Sequence, residues 1–172
     1  FMKDTDIYNL CKRIQPIYRS ITGTGNIKTL KIFKKINPKL KILYFKSGKK
    51  VFDWKIPKEW NIKDAYIKHE SGKKFSEFSK SNINILNYSE PINRFISKKE
   101  LLNHIFTLPE KPKAVPYVTS YYKKNWGFCM SEYQKKRLPV GKYKAYINSS
   151  LKNGKLNLGE ALIKGKSNKE IF

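Results

Sequence analysis

Six aromatic side chains are the residues in this sequence best placed to bind a ligand. They lie in two segments, FDWKIPKEW at residues 52–60 and YVTSYYKKNWGFC at residues 117–129. Aromatic faces can stack on a sugar, a peptide or a base. A small β domain with a thin core also uses such residues for packing, so a ligand surface and a packed core both stay open. The six residues are Trp54, Trp60, Tyr117, Tyr121, Tyr122 and Trp126.

The side chains that could take part in catalysis or bind a metal show no recognisable arrangement in the sequence. Asp53 and Glu59 lie among the tryptophans, where a carboxyl group can have a raised pKa, as in glycosidases. Pairing with lysine or capping of a turn is the simpler interpretation of both acids. His69, expected on an exposed turn, and His104 lack the spaced donors that a zinc site needs. We therefore assign no catalytic, cofactor-binding or metal-binding residue.

The composition indicates a packed protein with a strongly basic surface. The 172 residues are 40% hydrophobic and 14% aromatic, with a net charge of +24. Lysines supply nearly all of this charge and are spread along the chain, whereas phosphate recognition favours arginine. Bulk lysine enrichment is therefore the favoured interpretation, and nucleic-acid binding is the weaker alternative, although the charge would still make salt-sensitive contacts with any polyanion. Apolar runs are too short to cross a membrane, and Cys11 and Cys129 are expected to be buried, reduced thiols. These features predict a cytoplasmic protein.

Local patterns predict two helices, a strand and then a β-rich block. The first helix should end near Pro16, because proline breaks a helix interior. The segment RSITGTGN, residues 19–26, resembles a phosphate loop, but it lacks the Walker lysine and follows a helix, so a structural connection is favoured. The apolar run within residues 40–46 predicts a strand buried on both faces. SKKELLNHIF, residues 97–106, predicts a short helix that begins with a capping box.

The motifs together resemble one bacterial family along nearly the whole chain. These motifs are IYRSITGTGN, FDWKIPKEW, NYSEPIN, LLNHIFTLPEKPKAVPYVTSYY, WGFC and LIKGKSNKEIF. The sequence resembles the N-terminal part of bacterial zinc-dependent aminopeptidases that carry an inserted domain of unknown function. Members of that family often lie near polysaccharide-biosynthesis genes.

The resemblance implies an α/β plus β fold, in which the start of a zinc-exopeptidase-like core is interrupted by a β-rich domain. Residues 1–48 would begin the core, residues 49–153 would form the insertion, and residues 154–172 would return to the core. The strand expected to start at Glu170 would continue past Phe172, so the chain is expected to be a portion of something longer.

The resemblance also implies a function for the longer protein. In such enzymes zinc polarises the scissile carbonyl and activates water. The family's zinc ligands and its glutamate base would lie beyond Phe172, so this chain is expected to be non-catalytic. Its expected partners are the remainder of the peptidase core and, in the full-length protein, a peptide or aminoacyl substrate. The alternative is a non-catalytic module that binds carbohydrate or peptide through its aromatic surface.

Overall fold

The computed structural model describes residues 4–166 and contains four helices and ten strands in that range. The helices are α1 Asp4–Ile14, α2 Thr24–Ile36, α3 Lys98–Leu102 and α4 Glu132–Lys136. The strands are β1 Lys41–Lys46, β2 Lys50–Val51, β3 Trp54–Lys55, β4 Glu59–His69, β5 Lys74–Phe75, β6 Ile92–Ser97, β7 Ile105–Phe106, β8 Phe128–Cys129, β9 Lys142–Lys152 and β10 Lys155–Glu160. The fold is therefore mixed α/β. The predicted strand at Glu170 lies outside the described residues.

A four-stranded antiparallel sheet in the order β5-β4-β9-β6 forms the centre of the fold. Three further two-stranded sheets pair β1 with β10, β2 with β3, and β7 with β8. The register between β4 and β9 shifts between Ile62 and Asp64. Such a bulge reverses which positions of a strand face the core. Accordingly Trp60 is buried before it, and Ala65 and Ile67 are buried after it.

The hydrophobic core lies against one face of the central sheet. Its side chains come from the long strands and from the loops and short elements between β5 and β9. Ordinary alternation along β9 supplies part of it, because inward and outward side chains alternate along a strand. The buried members are Ala65, Ile67, Ile85, Ile96, Leu101, Ile105, Phe128, Met130, Leu138, Tyr143, Ala145 and Ile147.

The glycine loop is a tight connection between α1 and α2. The first helix ends at Ile14, before Pro16, as the sequence predicts. The second helix is preceded by Gly23, whose φ is 91°, a value that favours glycine. A Cβ atom on Gly25 would lie 1.6 Å from the carbonyl oxygen of Tyr18. The glycines are therefore required for close backbone packing, and the segment forms the helix-to-helix connection that the sequence predicts.

Two sequence predictions about these elements are wrong. The strand β1 is not buried on both faces: among residues 4–166 it pairs with β10 alone, and Leu43 and Tyr44 are exposed. The apolar run was not sufficient to predict burial because β1 lies in a two-stranded sheet. The helix predicted over residues 97–106 ends at Leu102. Ile105 and Phe106, the last two residues of the predicted helix, form β7 beside β8. Ser97 caps this helix by accepting a hydrogen bond from the Glu100 backbone N–H.

Within the described range, no helix combines the length and the apolar character that crossing a bilayer requires.

Candidate functional site

Four aromatic rings from distant parts of the chain form one cluster beside the glycine loop. Trp60 lies between Tyr18, at a centroid distance of 5.4 Å and edge-on, and Tyr88, at 5.7 Å and stacked. Tyr88 in turn contacts Tyr121 edge-on at 5.0 Å. We call Tyr18, Trp60, Tyr88 and Tyr121 the aromatic cluster. Edge-on and offset ring pairs of this kind add stabilisation beyond the buried area.

Hydrogen bonds fix the orientation of the rings in the aromatic cluster. The Trp60 indole Nε1–H donates to the Ser89 carbonyl oxygen at 2.8 Å, and the Trp60 backbone N–H donates to the Thr22 hydroxyl at 3.1 Å. Thr22 and the Tyr88 hydroxyl are 2.6 Å apart, and the Tyr88 hydroxyl also donates to the Lys58 carbonyl oxygen at 3.0 Å. Trp60 is 1% exposed. It is therefore a core residue that joins the glycine loop to β4.

The tyrosines of this region are held in their neutral form. Burial is the main cause of the raised pKa values of the Tyr18 and Tyr88 hydroxyls. Tyr117 is largely exposed, but partial burial raises its pKa to about 12, with a further contribution from the neighbouring Tyr121. A phenol with a raised pKa donates a hydrogen bond but does not act as a base near neutral pH. The Tyr88 hydroxyl already donates to Lys58 and the Tyr117 hydroxyl already accepts from Asn87, so among these three the Tyr18 hydroxyl is the one without a hydrogen-bond partner among the described residues.

A cavity of about 370 Å³ lies between the glycine loop and β4. Trp60 and Phe78 contribute its apolar lining, and Ser20 contributes a hydroxyl. The Tyr18 hydroxyl is buried and lacks a hydrogen-bond partner among the described residues. Buried polar atoms are normally hydrogen-bonded. This cavity is therefore a candidate site for a small polar ligand.

A second aromatic group lies at Trp126. The His104 ring stacks on the Trp126 indole at 3.6 Å, and its Nδ1 is 2.9 Å from the Trp126 carbonyl oxygen. The Arg94 guanidinium carbon is 6.0 Å from the same indole centroid, and Arg94 donates to Glu100 at 2.6 Å. Trp126 also meets Phe128 edge-on. The ring is thus enclosed by protein groups, which is typical of a packing role.

The six aromatic residues singled out in the sequence therefore divide by environment. Trp60 belongs to the core, and Tyr121 and Trp126 are half-buried against other rings. Tyr117 is 57% exposed and Tyr122 is 80% exposed, so both reach solvent. Trp54 is half-buried and lies in β3. The structure does not bring the six together into a single face.

Two members of the aromatic cluster could not be singled out from the sequence. Tyr18 and Tyr88 are 70 residues apart in sequence and carry no shared motif. The one available signal was the proximity of Tyr18 to the glycine loop. Their contact with Trp60 depends on how that loop packs on β4, which is a property of the tertiary structure.

The histidines and acids do not assemble a metal site in the described part of the chain. His69 is buried, which corrects the prediction of an exposed turn. The bulge in β4 turns it inward, where Nδ1 meets the Ser71 hydroxyl at 2.8 Å and Nε2 meets the Val140 carbonyl oxygen at 3.1 Å. Across residues 4–166 no three His, Cys, Asp or Glu side chains are grouped so as to hold a metal ion. Glu59 accepts a hydrogen bond from the Lys155 backbone N–H, in keeping with the simpler interpretation of that acid.

The two cysteines differ in environment. Cys129 is buried, and burial raises the pKa of its thiol to about 12. Cys11 is exposed on α1, so the prediction that it is buried is wrong. Little of the described protein packs against this part of α1, since Ile7 and Tyr8 on the same helix are also exposed.

Comparison with known proteins shows a close relative and a similar solved structure, both from Clostridium acetobutylicum. The relative, called "Putative polysaccharide biosynthesis protein with aminopeptidase-like domain", is 44% identical over 167 residues. That match covers 97% of this chain and 38% of the relative. A crystal structure called a "putative peptidase" has a TM-score of 0.86 and 44% identity, covering 90% of this chain and 36% of that one. This chain therefore spans less than two-fifths of either protein.

A second comparison assigns the chain to a family of proteins. Residues 59–150 match the family described as "Domain of unknown function (DUF2172)". The matched range begins with β4 and ends within β9, so it contains the central sheet and the hydrophobic core. Because the match covers more than half of the sequence, the chain belongs to the DUF2172 family.

Proposed function

We propose that this chain is the accessory portion of a zinc-dependent aminopeptidase-like protein, and that it borders the active-site cleft without supplying the metal ligands. The observation that carries the proposal is the 44% identity over 97% of this chain to a protein whose name includes an aminopeptidase-like domain. The similarity to a crystal structure called a "putative peptidase" supports the same class. At 44% identity and a TM-score of 0.86, the similarity extends well beyond a shared fold class.

The division into a core and an insertion is part of this proposal. Residues 1–48 and 154–172 would belong to a zinc-exopeptidase-like α/β core, and residues 49–153 would form the inserted domain. The pairing of β1 with β10 supports this division, because it joins the two outer segments over six residue pairs. The range matched by the family, residues 59–150, falls inside the proposed insertion.

Exposed apolar side chains on the outer segments support a larger core. A two-stranded sheet is marginal by itself in water and normally packs against further strands or helices. Leu43 and Leu158 are opposed on β1 and β10 and are 36% and 47% exposed. Ile36 at the end of α2 is 46% exposed. In the full-length protein these side chains would pack against the remainder of the peptidase core.

Zinc is expected in the full-length protein, but the described residues do not fit a zinc site. Zinc in peptidases is held by three protein ligands chosen from His, Glu, Asp and Cys, and residues 4–166 present no such group. We therefore derive no catalytic step through zinc for this chain. Its proposed contribution is to shape the entrance through which a peptide or aminoacyl substrate reaches the metal.

The test compares this chain with the full-length relative from Clostridium acetobutylicum. We expect the relative to carry zinc and to hydrolyse aminoacyl-p-nitroanilides, and we expect residues 1–172 alone to do neither. Zinc is measured by mass spectrometry of the purified protein and turnover by release of p-nitroaniline. Stoichiometric zinc and turnover from this chain would overturn the accessory role. Absence of both from the relative would overturn the peptidase assignment.

A second candidate function is a non-catalytic module that binds carbohydrate or peptide. Its specific support is the exposure of Tyr117 and Tyr122 on one loop, with Tyr122 edge-on to Tyr121 at 6.2 Å. Substituting Tyr122→Ala should leave the melting temperature unchanged and abolish binding in a glycan or peptide array. Retained binding, or loss of folding, would remove this candidate.

A further inference from the structure

We propose that the outer face of the central sheet binds a linear acidic polysaccharide through a row of lysines. The row consists of Lys74, Lys68 and Lys144, on β5, β4 and β9. Lys68 is paired in register with Lys74 on one side and with Lys144 on the other. Phe95 on β6 is opposite Lys144 and continues the row. We call Lys74, Lys68 and Lys144 the lysine row, and Phe95 lies at its end.

The position of the row follows from strand alternation. Ala65, Ile67 and Tyr143 face the core and are fully buried. The residues that alternate with them on β4 and β9 therefore face away from the core. Lys68 and Lys144 are such residues. Phe95 is 71% exposed, so the end of the row is open to solvent.

The lysine row destabilises the folded protein when no ligand is bound. Like charges directly opposite each other across a sheet are destabilising, and their side chains lie roughly 5 Å apart at Cβ. None of the three lysines forms an ion pair with a described acid. The nearest acid along β4, Asp64, accepts a hydrogen bond from the Ala65 backbone N–H at 2.9 Å. An anionic ligand would relieve this repulsion.

The neighbouring side chains favour a polysaccharide over a nucleic acid. The adjacent cross-strand pair, Tyr66 and Tyr146, stacks ring against ring at 4.9 Å, and the Lys74 ammonium lies 4.2 Å from the Tyr66 centroid. Each ring therefore has one face covered by the other, and Lys74 lies over Tyr66, so the pair offers less open ring face to stacking bases than single-stranded nucleic-acid sites use. Their hydroxyls, with the Asn93 amide on the same face, can instead donate to sugar hydroxyls and carboxylates.

The charged groups also favour carboxylates. Lysine acts as a point charge, whereas arginine presents a planar fork suited to phosphates and bases. Arg94, on β6, is paired with Ala145 and so belongs to the opposite face, where it binds Glu100. The outer face therefore presents lysines without arginine. A chain of uronic acids, with carboxylates at regular intervals, matches a row of point charges.

The test measures binding of fluorescent polygalacturonate oligomers to the whole chain by polarisation, at ~0.15 M salt, where long-range attraction is screened. The triple variant K68Q/K74Q/K144Q is compared with K31Q/K34Q/K35Q, which removes the same charge from α2. We expect the first to weaken binding at least tenfold and the second by less than about threefold. Methyl-esterified polygalacturonate, which lacks the carboxylate charge, should not bind.

Two further measurements keep the proposal falsifiable. Phe95→Ala leaves the charge unchanged and should weaken binding by about threefold, as expected for one exposed aromatic contact. The melting temperature of K68Q/K74Q/K144Q should not fall below that of the α2 variant, because it relieves opposed like charges. Equal losses in the two triple variants, no binding by the unmodified chain, or tighter binding of a thymidine oligomer than of polygalacturonate would each overturn the proposal.

Discussion

Replacing Trp60 with phenylalanine tests whether the aromatic cluster is part of the stabilising core. Trp60 is 1% exposed, and its indole N–H donates to the Ser89 carbonyl oxygen at 2.8 Å. Phenylalanine removes this donor and leaves a space beside Tyr18 and Tyr88. We therefore expect Trp60→Phe to lower the free energy of unfolding while the chain still folds.

The magnitude follows from two contributions. Loss of part of a buried ring and the space it leaves costs about 2 kcal/mol, at the lower end of the range for larger truncations. Loss of the hydrogen bond adds about 1 kcal/mol or less, since the Ser89 carbonyl oxygen also accepts from the Ser149 hydroxyl at 2.7 Å and does not become unpaired. The expected decrease is therefore about 3 kcal/mol.

The assay is urea denaturation followed by far-UV circular dichroism, with a two-state analysis. The matched control is Trp54→Phe, in the β2–β3 hairpin, where the tryptophan is half-buried and we expect a decrease below about 1 kcal/mol. A cost for Trp54→Phe equal to or larger than that for Trp60→Phe would refute the assignment of Trp60 to the core.

Three further predictions concern single residues. Cys11 should react rapidly with Ellman's reagent at pH 8, while Cys129, whose thiol pKa is raised by burial to about 12, should react only after unfolding. Gly25→Ala should lower the free energy of unfolding by at least about 3 kcal/mol in urea titrations, because its Cβ would lie 1.6 Å from the Tyr18 carbonyl oxygen. Ser131→Ala should cost about 1 kcal/mol in the same assay, since Ser131 forms a complete capping box at the start of α4.

Each of these predictions has a control and a contradicting result. Cys11→Ser should abolish the rapid thiol reaction, and two rapid thiols in the native protein would contradict burial of Cys129. Gly165→Ala, where no atom lies within 4 Å of the added Cβ, should be neutral; a cost matching that of Gly25→Ala would contradict the close-packing argument. Ser131→Thr should retain most of the stabilisation from the cap. Equal losses of unfolding free energy for threonine and alanine would contradict the capping role of Ser131.

Much of the fold could be predicted from local sequence. The first helix ends before Pro16 as expected, and Ser97 caps α3, although the predicted capping box is incomplete because the Glu100 carboxylate pairs with Arg94. The β-rich character of the later chain also follows from short runs of apolar and aromatic residues. Helix boundaries were less predictable: Ile105 and Phe106 fit a helical pattern but pair with β8, because long-range strand pairing outweighs local propensity in a two-residue segment.

The candidate sites were predictable only in part. Trp60 and Tyr121 were singled out by residue type, and both belong to the aromatic cluster. Tyr88 was not singled out, because its contact with Trp60 joins residues 28 positions apart and leaves no periodic signal. The burial of His69 was missed because the bulge after Ile62 reverses the inward face of β4.

The sequence by itself determined much of the local structure and the composition: the end of α1 before Pro16, the Ser97 cap of α3, the segments that favour strands, and a net charge of +24 carried mainly by lysine. Only the tertiary structure decided which lysines stand in one row and which aromatic rings meet. The physical reason is that helix caps and turns depend on neighbouring residues, whereas cross-strand register depends on pairings between residues far apart. Lys74, Lys68 and Lys144 become neighbours only after β5, β4 and β9 have paired.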